Sequence, residues 1–129
     1  MNLDQLSKRG VKINISDLSP LECFLKAFSI AEKAKDEEGR EAAKLGLLAV
    51  TEGGSSSFNI VSYSDEKVIE EASLIRRSHK DPFDCFIFAT AKALGAALVT
   101  EDTSAVNYLG HDHVLAWKSL KKLLSQSSI

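Results

Sequence analysis

The stretch Asp81-Pro82-Phe83-Asp84-Cys85-Phe86-Ile87-Phe88-Ala89-Thr90-Ala91-Lys92-Ala93-Leu94-Gly95-Ala96-Ala97-Leu98-Val99-Thr100-Glu101-Asp102 decides the fold. Asp81 is a capping residue, and Pro82 suits the first helical position, where no backbone N–H is needed. Phe83 to Leu94 is apolar nearly all round, as in a helix buried at the centre of a domain. Gly95 stops that helix, because glycine tolerates the left-handed turn at a helix end. Ala97–Thr100 follows as a buried strand, and Asp102 sits just past its carboxyl end. A buried helix feeding a buried strand is the unit of an α/β fold with a mainly parallel sheet.

Further strand-like runs occur at Val11–Ile15, Phe58–Tyr63 and Val114–Trp117, with helical patterns between them. Ser19-Pro20-Leu21-Glu22 begins the first strong helix, with Leu21, Phe24, Leu25 and Phe28 as one apolar stripe. A weaker helix is expected from Asp36 to Val50, where Gly39 and Gly46 count against helix. Thr51–Ser57 reads as a flexible loop rich in glycine and serine. The next helix spans Asp65 to Ser78, presents Val68, Ala72 and Ile75 on one face, and leads into Arg76-Arg77-Ser78-His79-Lys80. Short helices fit Thr103–Leu109 and Lys118–Leu124. No linker divides the chain, so residues 1–129 are expected to form a single domain.

The 129 residues are 44% hydrophobic, enough for one core. No run of 18 apolar residues exists, which excludes a membrane-spanning helix. Met1–Ile15 lacks a signal-peptide core, and a cytoplasmic location is expected. Cys23 and Cys85 lie in apolar helical patterns without metal-ligand spacing and are expected to be buried thiols. The net charge of −2 gives no global attraction to nucleic acid, so any RNA contact must come from a local basic patch.

Three acids carry the chemistry, and each has two readings. Ser19-x-x-Glu22 has the form of a capping box. Asp84 would lie in the first turn of its helix, where the dipole favours a negative charge. Asp102 could cap the helix that follows it. The other reading is a metal centre: Mg²⁺ and Mn²⁺ prefer carboxylate oxygens, and acids on separate elements can converge at the carboxyl ends of strands. His79, His111 and His113 offer no matching zinc set. His111-Asp112-His113 reads as a solvated turn. Phosphate-binding glycine loops and nucleophile elbows are absent from the sequence.

The block from Asp81 to Asp102 resembles the C-terminal half of a PIN domain, with its acid, its Ala-Thr-Ala helix, its Gly, its strand and its Thr-x-Asp. Asp84 and Asp102 match the third and fourth acid positions, with Thr100 as supporting hydroxyl. Ile15-Ser16-x-x-Ser19-x-x-Glu22 resembles the second strand and the helix-borne Glu. Asn107-Tyr108-Leu109-Gly110 and Val114-Leu115-Ala116-Trp117 also resemble members of the family.

The resemblance implies a three-layer α/β fold and a VapC-like, Mg²⁺- or Mn²⁺-dependent endoribonuclease. Glu22, Asp84 and Asp102 would act as metal ligands and catalytic acids, and Asp81 would assist. Arg76, Arg77 and Lys80 would bind RNA, unless they serve only as helix-end charges. An antitoxin protein and a homodimer are the partners it implies. A full PIN domain opens with a strand ending in Asp, and nothing before Val11 matches it; Asp4 has no strand-like context. The expectation is therefore an N-terminally truncated domain with impaired hydrolysis, whose sheet edges pair with another chain. The alternative is a catalytically inactive PIN-like binding or scaffold protein.

Overall fold

In the computed structural model, residues 3–52 and 58–126 are described, and they fall into two compact units, one within residues 2–63 and the other within 64–129. The expected loop at Thr51–Ser57 lies largely outside the described residues, and Thr51 and Glu52 belong to the preceding helix. No described helix is long and apolar enough to cross a membrane. All strand pairing among the described residues is parallel, as the sequence predicts, in two sheets of two strands each.

The first unit runs α1 (Leu3–Lys8), β1 (Asn14–Ser16), α2 (Leu18–Ala34), α3 (Glu37–Glu52) and β2 (Asn59–Val61). β1 and β2 pair from Asn14↔Asn59 to Ser16↔Val61. α1 is not expected from any pattern in the sequence, yet its Leu6 is buried.

The expected capping box at Ser19 does not form, because α2 starts earlier. Asp17 is drawn to β2: its N–H donates to the Val61 carbonyl at 3.0 Å, and its Oδ1 accepts from the Tyr63 N–H at 3.0 Å. The helix therefore begins at Leu18, whose N–H reaches Ser16 Oγ at 3.3 Å. Ser19 lies inside the first turn, where it cannot serve as the N-cap. Pro20 is tolerated there because first-turn N–H groups have no helical partner.

α2 and α3 form a hairpin around buried Ala31, with Arg40 ion-paired to both Glu32 and Glu37. Gly39 occurs within α3 for a local reason. Its N–H donates to Asp36 Oδ1 at 3.0 Å, and an added Cβ would come within 2.5 Å of Asp36 Oδ2. The expected apolar stripe on α2 is only partly covered: Phe24 and Phe28 are half-buried, but Leu25 is 45% exposed. Cys23 is exposed rather than buried, whereas Cys85 is buried as expected.

The second unit runs α4 (Glu66–Arg76), α5 (Pro82–Leu94), β3 (Leu98–Val99), a 3₁₀ turn at Thr103–Ala105, α6 (Val106–Leu109), a second 3₁₀ turn at His111–His113, β4 (Val114–Leu115) and α7 (Trp117–Gln126). Asp65 caps α4 by accepting from the N–H groups of Lys67 and Val68. Val68, Ala72 and Ile75 form the predicted buried face, and α4 packs on α5. Lys92 and Glu71 pair across these two helices at 3.4 Å.

α5 buries Cys85, Phe88, Ala89, Thr90 and Ala91 and ends at Gly95 with φ 63°, so the buried helix and its glycine stop are both present. It is not apolar to solvent all round, since Leu94 is exposed. Leu98↔Val114 and Val99↔Leu115 set the register of β3 on β4, extended by the Thr100 N–H to the Leu115 carbonyl. Glu101 then accepts from the Trp117 N–H at 3.2 Å, which ties the end of β3 to the start of α7.

Candidate functional site

The site in the second unit is built at two element starts. Asp81 lies before α5, with an extended backbone, and its Oδ1 accepts from the N–H groups of Phe83 at 2.9 Å and Asp84 at 3.3 Å. These groups have no partner inside the helix, so the cap is structural chemistry that any Asp here would perform. Asp84 follows one turn in. A carboxylate oxygen of Asp84 lies within 4.8 Å of one of Asp81.

Asp84 does not cap the helix. Its Oδ2 meets His79 Nε2 at 3.1 Å, with both side chains largely covered. His79 has no metal-ligand spacing that would mark it in the sequence. The bond bridges five residues across a turn, a spacing with no recognisable signature.

Asp102 lies just beyond β3. Its own N–H donates to Thr100 Oγ1 at 3.1 Å, so Thr100 holds the backbone that carries this acid. Asp102 Oδ1 accepts from Ser104 Oγ at 2.6 Å and from the Ser104 N–H at 2.9 Å. The Ser104 hydroxyl and then its N–H hold the Asp102 carboxyl below the usual carboxylate range; partial burial opposes this and the charge of His79 adds to it. His79 thus bonds Asp84 directly, whereas Asp102 is not among the carboxylates that lie within 4.8 Å of Asp81 and Asp84, so the contacts define a neighbourhood around His79 and Asp84.

Tyr108 closes that neighbourhood. Its ring packs edge-on against His79, with centroids 5.5 Å apart, and on Phe88 at 6.0 Å; its hydroxyl bonds Ser78 Oγ at 3.1 Å. Of the basic run, Arg76 donates to the His79 carbonyl at 2.9 Å, so part of its guanidinium is engaged by its own helix end. His111 and His113 lie in an exposed turn, as expected.

Glu22 belongs to the first unit. It lies in the second turn of α2, and its side chain is 17% exposed, with Lys26 Nζ one turn on at 3.8 Å. The early start of α2 removes the capping-box account of this residue.

The donors around α5 and β3 are hard carboxylate oxygens on different elements. One of them is held in its ionised form, and no thiolate or imidazole set competes among the described residues. That chemistry suits Mg²⁺ or Mn²⁺ rather than zinc. No curated protein and no solved structure matches the chain. The PIN domain family matches residues 11–110, which contain every one of these acids. The match covers most of the chain, and the protein belongs to the PIN domain family.

Proposed function

We propose that the protein is a metal-dependent endoribonuclease of the VapC-like type. Glu22, Asp84 and Asp102 would hold Mg²⁺ or Mn²⁺, and Asp81 would assist. PIN domains generally bind divalent metals and act on RNA. The observation that carries the reading is the pairing of Asp81 and Asp84 at the start of α5, with carboxylate oxygens within 4.8 Å of each other; Asp102 follows β3 in the same unit. The family match takes in both units, and we read them as one domain. A cytoplasmic location, an antitoxin partner and a homodimer complete this reading.

When bound, a divalent ion supplies charge stabilisation at the phosphate and activates an attacking water. The residues do the rest. Asp102 stays ionised because Ser104 donates to it twice. Thr100 fixes the backbone on which Asp102 sits. Asp81 holds the first turn of α5, so that Asp84 leaves the helix at a set place. Arg77 and Lys80 extend the basic run beside these acids and would meet RNA phosphates, with Arg76 contributing less because it is bonded to the His79 carbonyl.

One observation favours a second reading, an inactive binding protein. Asp81 and Asp102 each use an oxygen as a helix cap, which a residue kept only for structure would also do. Titration with Mn²⁺ by calorimetry separates the two. As ligands, Asp84→Asn and Asp102→Asn weaken binding at least about tenfold, the scale expected when metal-site groups are disturbed. If these acids serve only the fold, both variants bind Mn²⁺ as the unsubstituted chain does.

A further inference from the structure

His79 is unusually well fixed for a residue in a turn. Its N–H donates to the Ile75 carbonyl at 3.0 Å. Its own carbonyl accepts from Arg76 at 2.9 Å and lies 3.7 Å from the Cys85 thiol. Its ring packs against Phe88, with centroids 5.3 Å apart, and against the edge of Tyr108. Phe88 is 1% exposed and sits in the centre of this unit's core, so the ring wall is as rigid as the core itself. The side chain of His79 is 17% exposed and that of Asp84 is 23%. A clamped ring therefore delivers one nitrogen, Nε2, to one oxygen, Asp84 Oδ2.

A metal-binding carboxylate only accepts hydrogen bonds, so in that state of Asp84 the donor of this bond is Nε2–H. Without such a donor, an aspartate near a helix start can rotate its carboxylate about the terminal bond, a broad and soft torsion. A metal ligand performs better when that rotation is fixed before the ion arrives. We infer that His79 is a positioning residue, which sets the orientation of the Asp84 carboxylate for a divalent cation without itself ligating the cation. The inference rests on the metal-site reading above and adds to it a residue outside the acidic set.

The test compares two substitutions by Mn²⁺ calorimetry, with thermal melts in EDTA as the measure of folding. His79→Phe keeps an aromatic ring against Phe88 and Tyr108 and removes the donor. His79→Gln puts an amide N–H near the position of Nε2. The inference predicts that His79→Phe melts within a few degrees of the unsubstituted chain yet binds Mn²⁺ about tenfold or more weakly. It predicts that His79→Gln recovers affinity to within about threefold.

Unchanged affinity in His79→Phe would overturn the inference and leave the metal site standing. So would a His79→Gln variant as weak as His79→Phe. Absence of Mn²⁺ binding by the unsubstituted chain would overturn the metal-site reading together with this one. Should His79→Phe melt much lower, the His79→Gln result alone decides.

Discussion

Replacing Asp81 separates what its carboxylate does for the fold from what it does for an ion. Its Oδ1 accepts from two N–H groups at the start of α5, at 2.9 and 3.3 Å. The first bond is well formed and the second is long, so the cap is worth close to one good interaction. Loss of such a cap costs about 1 kcal/mol. α5 carries Cys85, Phe88 and Ala89 into the core, so fraying at its first turn is felt by the whole unit. For a chain of this size the cost corresponds to a fall in melting temperature of about 3–5 °C. Asp81→Ala should show that loss by thermal denaturation in EDTA. Asp81→Asn keeps the accepting oxygen and should stay within about 0.5 kcal/mol of the unsubstituted chain. Both variants lose the charge, so both should bind Mn²⁺ more weakly in calorimetry. Equal destabilisation by Ala and Asn would show that charge beside the helix dipole, rather than the accepted bonds, holds the first turn. Unchanged Mn²⁺ affinity in both would remove Asp81 from the site.

The remaining expectations follow from other contacts. Phe88→Ala should cost about 3–5 kcal/mol in urea unfolding, because the ring is fully buried and supports both His79 and Tyr108. Ser104→Ala should raise the Asp102 carboxyl toward its ordinary range, as followed by carboxyl-carbon NMR, since the Ser104 hydroxyl is the main cause of the depression. A depressed folded-state value stabilises the fold above the ordinary carboxylate range, and that contribution is lost as pH falls through the depressed value. The stability gap between Ser104→Ala and the unsubstituted chain should therefore be widest near neutrality and close on acidification. Joint replacement of Arg76, Arg77 and Lys80 by Ala should lower RNA affinity and flatten its dependence on salt, since each phosphate contact releases counterions. An unchanged salt slope would leave the three as helix-end charges.

Much of the fold was legible because its signals are local. Asp81-Pro82 starts α5 and Gly95 ends it, each by backbone rules that act within one turn. The face of Val68, Ala72 and Ile75 follows from helical spacing alone. All four strand-like runs overlap strands, though the strands are only two or three residues long, and β1 is displaced to Asn14–Ser16. The misses involve contacts between distant residues. Asp17 is drawn to Val61 and Tyr63, which starts α2 ahead of the Ser19 signal. Leu25 follows the apolar period of α2 yet remains exposed, as does Cys23 beside that stripe, since period marks a stripe without showing what covers it. At the site, Asp84 and Asp102 were visible as acids at element starts. His79 was not, because its role depends on Phe88 and Tyr108 holding its ring.

The most direct test of the account is cleavage of an end-labelled single-stranded RNA by the purified chain in Mn²⁺, run beside Glu22→Gln, Asp84→Asn, Asp102→Asn and an EDTA control. The account predicts internal cleavage that needs Mn²⁺ and falls to the EDTA level in each of the three variants. Internal cleavage that persists in EDTA, or in any one of the three variants, would contradict it, as would an unsubstituted chain whose Mn²⁺ lanes match the EDTA control.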